Sequence, residues 1–164
     1  RNSIIIADKF IHNTLLVGVK AAGSKLVRFA HNDLKDLENK ILKFNSSQKS
    51  ILIIVESLYS MEGSIAPLKE IAGICKKYNV ELLVDEAHAI GILGTEGKGL
   101  SFDLSDEITM LTGTFGKSFG SGGAFIACNS KIGEHLIQTS GAFRYTTALS
   151  PALSAVSLKS LQKI

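Results

Sequence analysis

Long apolar runs are missing from this sequence. No uninterrupted stretch among its 164 residues approaches the ~20 needed to cross a bilayer as a helix, and no basic-then-apolar order opens it as a secretory leader would. No membrane partner is expected, and the expected compartment is the cytoplasm. Charge of one sign is not massed either. The net charge is +3, and apart from Lys76-Lys77 the lysines are scattered among acids, which gives no nucleic-acid surface. Cysteine is limited to Cys75, in a helix-like stretch, and Cys128, in a strand-like one, with no CxxC and no nearby histidine. That excludes a metal site of this kind and leaves two reduced structural thiols.

What is present points to one folded unit. Hydrophobic residues make up 45% and charged residues 20%, with a mean hydropathy of +0.23, enough apolar material to bury a core. The chain begins at "RNSIIIAD" and stops at "SLKSLQKI" with helical periodicity still running, and reads as part of a longer polypeptide.

Apolar runs of about five residues alternate with longer segments of helical spacing, the pattern of parallel strands joined by crossover helices. Strands are expected at 3–8, 25–30, 50–57, 80–86, 107–113 and 122–128. Helices are expected over 12–23, ending at Gly23, over Asp33 to Phe44 with Asn32 or Asp33 as cap, from Pro67 to about Tyr78, and at about 130–140 and 152–163. Strand interiors are apolar throughout, which implies helices on both faces. The expected fold class is α/β, a three-layer sandwich with a mostly parallel sheet.

In such sheets ligands bind beyond the carboxyl ends of the strands. Three polar stretches fall there: Glu56 to Ser60, Asp85 to His88, and Thr112 to Lys117. The strings "GTFGKS" and "VDEAH" suggest a nucleotide site, but a phosphate loop needs G-x-x-x-x-G-K-[ST] followed by a helix. Here Leu111 stands where the first glycine belongs, and "SFGSGGAF" after the lysine carries glycines and then a strand. The acidic box also precedes the lysine, the reverse of the helicase order. An ATPase is not expected.

A lysine on a glycine-rich turn at one strand end, with an aspartate at the neighbouring strand end, is what pyridoxal phosphate requires. The ε-amine condenses with the cofactor's aldehyde, and the acid keeps the pyridine nitrogen protonated so that the ring can accept electrons. The apolar "ELLV" before Asp85 and "AIGIL" after it suggest a partly dry setting, where a cationic partner offsets the cost of a buried carboxylate.

Three long stretches carry a resemblance. "ADKFIHNTLLVGVKAAGSKLVRFAHNDLKDLENKI", "VESLYSMEGSIAPLKEIAGICKKYNVELLVDEAHAIGILGTEGKGL" and "GTFGKSFGSGGAFIA" resemble the α-oxoamine synthases, pyridoxal-phosphate enzymes of fold type I, in order and with the spacing between motifs kept. The short lysine loop and "RFAHND" are most similar to the biotin-pathway branch, the 8-amino-7-oxononanoate synthases. The 2-amino-3-ketobutyrate CoA ligases, 5-aminolevulinate synthases, autoinducer synthases and a non-catalytic cofactor-binding relative stay open as alternatives. The resemblance implies that residues 1–164 form the central part of the large cofactor-binding domain, without its N-terminal segment or the C-terminal small domain. It also implies a homodimer with shared active sites, acting on a small amino acid and an acyl-CoA or acyl-carrier thioester.

The same resemblance assigns roles to residues. Lys117 matches the lysine bound to the cofactor, Asp85 the partner of the pyridine nitrogen, and His88 the histidine on the phenolic oxygen. His12 matches the histidine that stacks on the ring, so that Lys117, His88 and His12 form the expected catalytic set. Ser60 and Thr114 match phosphate contacts, and Thr146 and Thr147 match a segment that reaches the phosphate of the other subunit. Glu56 sits where the family has an acid near the site, with no step assigned, and His31 reads as a structural cap. The family usually has glycine at the position of Ser57, a departure that leaves the fold untouched.

Overall fold

A computed structural model describes residues 3–45 and 49–164. The elements run β1 (Ser3–Asp8), α1 (Asn13–Ala22), β2 (Lys25–Phe29), α2 (Leu34–Asn45), β3 (Ser50–Glu56), α3 (Leu68–Tyr78), β4 (Glu81–Asp85), β5 (Met110–Thr114), β6 (Ala124–Cys128), α4 (Ser130–Thr139), α5 (Gly141–Arg144) and α6 (Pro151–Leu161). The strands join one six-stranded sheet in the order β2-β1-β3-β4-β5-β6. All pairs are parallel except β5 with β6, so the sheet is mostly parallel, as expected.

The order of the strands decides where a ligand can enter. From β1 the chain moves outward to β2, then returns past β1 to β3 and continues through β4 to β5. Right-handed crossovers therefore put α1 on one face and α2 and α3, which pack on each other, on the opposite one. The reversal leaves a crevice between the carboxyl ends of β1 and β3, the usual mouth of a doubly wound sheet.

Local chemistry sets the ends of the helices. Gly23 closes α1 at φ 65°, the left-handed conformation that costs glycine nothing. Of the two caps expected for α2, Asp33 does the work, accepting the N–H of Asp36 at 2.9 Å, while Asn32 takes a positive φ of 55° just before it. Pro67 stands one residue before α3, and β5 begins at Met110, later than the apolar pattern suggested.

The core lies under β1, β3 and β4. Ile4, Ile6, Ile53, Val55, Leu82 and Val84 pack there with Leu37 and Ile41 of α2 and Ile71 and Cys75 of α3. Burial pushes the Cys75 thiol up to about 12, an inert structural group. Cover thins toward β6, where Ile126 is exposed, so the apolar pattern of that strand is not matched by helices on both faces. The short helix α5 was not expected from the sequence. Among the described residues no helix is long and apolar enough to cross a membrane.

Ile53 is 0% exposed, in the centre of the sheet, whereas Val17 of α1 is 58% exposed. Ile53→Ala is expected to cost about 2–5 kcal/mol through lost burial and a residual cavity. Val17→Ala should change stability by no more than about 0.5 kcal/mol. Reversible urea denaturation of the full-length protein measures both.

Candidate active site

Parallel register places three polar side chains in a row at the strand ends. Glu56 of β3 is paired with Asp85 of β4, and Asp85 with Thr112 of β5. Partners in adjacent strands project from the same face, roughly 5 Å apart. Asp85 uses Oδ1 to accept the N–H of Ala87 at 2.9 Å, and its other oxygen takes no hydrogen bond among the described residues. The Thr112 hydroxyl is buried without a partner. A buried polar atom of this kind is normally satisfied, so the row has unmet hydrogen-bonding capacity.

Lys117 reaches this row from the β5–β6 connection. Its Nζ lies 2.8 Å from Nε2 of His88. The loop is braced from within: Thr114 donates its hydroxyl to the Gly123 carbonyl at 2.9 Å and accepts the N–H of Gly116 at 3.1 Å. It is tied outward by Ser118, whose hydroxyl donates to the Ile90 carbonyl at 2.6 Å, just beyond His88. Only glycine suits position 91, where a Cβ would stand 2.6 Å from that hydroxyl oxygen. Lys117 is followed by a tight turn and β6, not by a helix, so the structure lacks the phosphate loop that "GTFGKS" suggests.

Electrostatics bind the same residues together. The His88 pKa is lowered by burial and then by the Lys117 charge, with Asp85 acting against the shift and His12 adding to it. At neutral pH the ring is therefore mainly uncharged and can accept a proton donor at Nε2. Glu56 is 2% exposed, and burial pushes its carboxyl up to about 7. The His12 N–H draws it back down, the Asp85 charge adds to the rise, and the Ser60 N–H and Lys117 oppose it. An acid whose folded pKa exceeds its free value favours the folded chain most at low pH. That contribution is lost as pH rises through about 7.

His12 precedes α1 and caps it, its Nδ1 accepting the Thr14 N–H at 3.3 Å and lying 2.8 Å from the Thr14 hydroxyl. Its main-chain N–H donates to Oε1 of Glu56 across the β1/β3 crevice. Ser60 lies in the turn after β3, with its N–H directed at the same carboxylate. Thus His12, Ser60, Asp85, His88 and Lys117 all gather at one sheet edge. Thr146 and Thr147 do not join them: both are exposed after α5, and Thr146 donates its hydroxyl to the Ala142 carbonyl.

Two further buried acids, Asp8 and Glu86, hold this edge in shape with their partners. Asp8, 0% exposed, lies 2.9 Å from Nδ1 of His31, and Nε2 of His31 lies 2.7 Å from the Ser64 hydroxyl. The His31 ring sits against Phe10 and Tyr59, so it joins the segments after β1, β2 and β3 rather than capping one helix. Glu86 accepts the Ser57 hydroxyl at 2.8 Å and both the N–H and the hydroxyl of Ser101. Ser57, the departure from the family's glycine, is thereby given a partner. Sequence reading passed over Glu86 and the Asp8–His31–Ser64 chain; the available signal was an acid placed directly at the end of an apolar strand.

The donor set fits pyridoxal phosphate: an amine with the His88 imidazole against it, a carboxylate with a free oxygen, and an unpartnered hydroxyl. Among the described residues no cluster of three or more His, Cys, Asp or Glu could hold a metal. A cavity of about 620 Å³ opens at the other edge of the sheet, lined by residues including Glu81, Lys98, Phe102 and Cys128. It lacks any comparable convergence of an amine, an acid and an imidazole.

Removing the Ser57 hydroxyl leaves a buried Glu86 oxygen without its donor. Ser57→Ala is expected to lower stability by about 1–3 kcal/mol, read by urea denaturation of the full-length protein. An unchanged midpoint and slope would show that the Ser57–Glu86 bond contributes nothing.

Residues 1–164 match the model of the family described as aminotransferase class I and II. A putative 8-amino-7-oxononanoate synthase of Glaesserella parasuis serovar 5 is 41% identical over 154 residues, covering 92% of this chain and 40% of the relative. A 5-aminolevulinate synthase of Bradyrhizobium diazoefficiens is 37% identical over 165 residues, covering 99% and 40%. Among solved structures, the serine palmitoyltransferase of Sphingomonas wittichii superposes with a TM-score of 0.93 at 32% identity, covering 99% of this chain and 41% of that one. A further match, described as SPT with PLP, has a TM-score of 0.92 at the same identity and coverage. The chain thus spans about 40% of the length of the curated relatives it matches. These findings agree with the fold-type-I, pyridoxal-phosphate expectation, and the chain belongs to the class I and II aminotransferase family.

Proposed function

We propose that this chain is the central part of the cofactor-binding domain of an α-oxoamine synthase of the 8-amino-7-oxononanoate synthase type, which acts in biotin biosynthesis. The observation that carries the reading is the Lys117 amine 2.8 Å from His88, next to the row of Glu56, Asp85 and Thr112. The substrates under this reading are L-alanine and a pimeloyl thioester of coenzyme A or a carrier protein. The likeness to a 5-aminolevulinate synthase favours a second reading, in which another amino acid and acyl chain are used.

When bound, pyridoxal phosphate supplies an electron sink for the pair left behind when a proton leaves the α-carbon of the amino acid. The rest falls to the chain. Asp85 would offer its free oxygen to the cationic ring nitrogen, and His12 would offer a flat face for stacking. Lys117 would anchor the cofactor and, as a free amine, would take the proton from the α-carbon. His88 would hold a cofactor oxygen by hydrogen bonding. The α-carbon would then bond to the thioester carbonyl carbon as the thiolate leaves, the carboxyl group of the amino acid would depart as carbon dioxide, and the α-carbon would take a proton back from Lys117.

Ser60 and Thr114 flank the place for the phosphate. Thr114 already braces the lysine loop, so its share of phosphate binding comes beside that role. Exposure of Thr146 and Thr147, with Phe143 and Tyr145 next to them, suits a segment completed by a second copy of the chain. A cytoplasmic homodimer is the assembly this reading expects.

The full-length protein should show an absorbance band near the visible edge that borohydride fixes irreversibly at Lys117. It should also release carbon dioxide from alanine and pimeloyl-CoA. Lys117→Ala should abolish turnover with the fold intact by circular dichroism. Release of carbon dioxide only with a different amino acid or acyl-CoA would favour the second reading, and no band at all would sink both.

A further inference from the structure

Glu56 has no part in the roles assigned above, yet it is one of the buried acids at this edge, only 2% exposed. Its carboxylate spans the β1/β3 crevice to the His12 main chain and stands beside Asp85 in the strand row. A side chain that is 2% exposed and joins two loops is more than a solvated acid. Its surroundings are mixed. Asp85 adds a like charge from β4, Lys117 an opposite one from the β5–β6 loop, and the N–H groups of His12 and Ser60 point at it from the two neighbouring segments. The Tyr59 hydroxyl also feels its charge, from the turn that follows β3.

We propose that Glu56 is a positioning residue of the cofactor site, holding the His12 main chain in place for ring stacking and supplying a second negative charge beside Asp85 for a cationic ring. The inference rests on the pyridoxal-phosphate reading of the site and not on the choice of amino acid or acyl group. Two consequences follow from the geometry. The first is mechanical: without an acceptor at position 56, the His12 N–H loses its partner and the segment before α1 loosens. The second is electrostatic. In the empty site Glu56 is half protonated near neutral pH, and a cation docked next to Asp85 favours the ionised form. Cofactor binding is then coupled to loss of a proton, and affinity rises with pH.

The sign can be followed through both states. With a folded pKa of about 7, apoprotein Glu56 is neutral in acid and charged in base. A nearby cation lowers a carboxyl by about one unit or more, so the bound state ionises at lower pH. Between those two values the bound protein holds fewer protons, and binding strengthens as protons are withdrawn. Glu56→Gln keeps the shape and the carbonyl acceptor but cannot ionise. Glu56→Ala removes both.

The test uses full-length protein stripped of cofactor and titrated with pyridoxal phosphate from about pH 5.5 to 8, followed by absorbance. The ratio of wild-type to Glu56→Gln affinity should rise several-fold, up to about tenfold for a one-unit shift. Other groups that titrate in this range, His88 and the cofactor itself, are common to both proteins and cancel in the ratio. Without cofactor, the wild-type Tm should fall relative to Glu56→Gln as pH rises through about 7. The His12 amide should exchange slowly with solvent in wild type and Glu56→Gln, and faster in Glu56→Ala.

Parallel affinity profiles for wild type and Glu56→Gln would overturn the electrostatic role. Equal His12 protection in Glu56→Ala would overturn the mechanical one. If Glu56→Ala does not fold, the wild-type and Glu56→Gln comparison still decides the electrostatic role, and Glu56→Asp, which draws the acceptor back from the His12 N–H by one methylene, takes the place of Glu56→Ala in the exchange measurement. A wild-type protein that binds no pyridoxal phosphate overturns this inference together with the site reading. One that binds it but does not use alanine and pimeloyl-CoA overturns the substrate reading alone.

Discussion

Register between parallel strands is the constraint on which this edge depends. A parallel ladder fixes which residues stand side by side, and a slip of one residue would turn every side chain of a strand to the opposite face. Here the ladder joins Glu56, Asp85 and Thr112 in a single line. The buried isoleucines, leucines and valines behind them lock that alignment, because any other pairing would put apolar side chains into water. The functional chemistry is therefore held by the core, and the two cannot be altered independently.

Around that line the chain supports its polar groups in pairs. Asp8 and His31 join three loops, Glu86 joins two serines, and Ser118 ties the lysine loop to the segment that carries His88. Each acid lies where water is excluded, and each has several donors, which is the condition under which a buried charge is tolerated. Glu56 is the exception that shows the rule. It has donors, yet burial, with the Asp85 charge adding to it, pushes its carboxyl up to about 7.

Much of this was legible in the sequence, for physical reasons. Short apolar runs such as "ILIIVE" can only be strands of a covered sheet, and Gly23 and Asp33 mark helix ends by chemistry that acts within a few residues. The gathering of Lys117, His88 and Asp85 followed from the rule that strand ends carry the site. What did not show was anything dependent on contacts between distant segments. Neither the His31 bridge nor the serine pair on Glu86 leaves a periodic trace, because their partners stand fifteen or more positions apart. Thr114 matches a phosphate contact, and its hydroxyl is also engaged with Gly123, a bond that requires knowing the path of the loop. The exposure of β6 was hidden for a related reason, since apolar content alone does not say whether a helix lies above it.

The antiparallel closure of β5 on β6 bears on the order in which the molecule assembles. Thr114 meets Ala124 across one compact connection, whereas Glu56 meets Asp85 only after α3 has been traversed. Closing the short loop costs less chain entropy, and such hairpins form faster than crossovers between parallel strands. The reactive amine thus belongs to the most local part of the architecture and the acids to the most distant, so the nucleophile's arm can be shaped before its cradle exists.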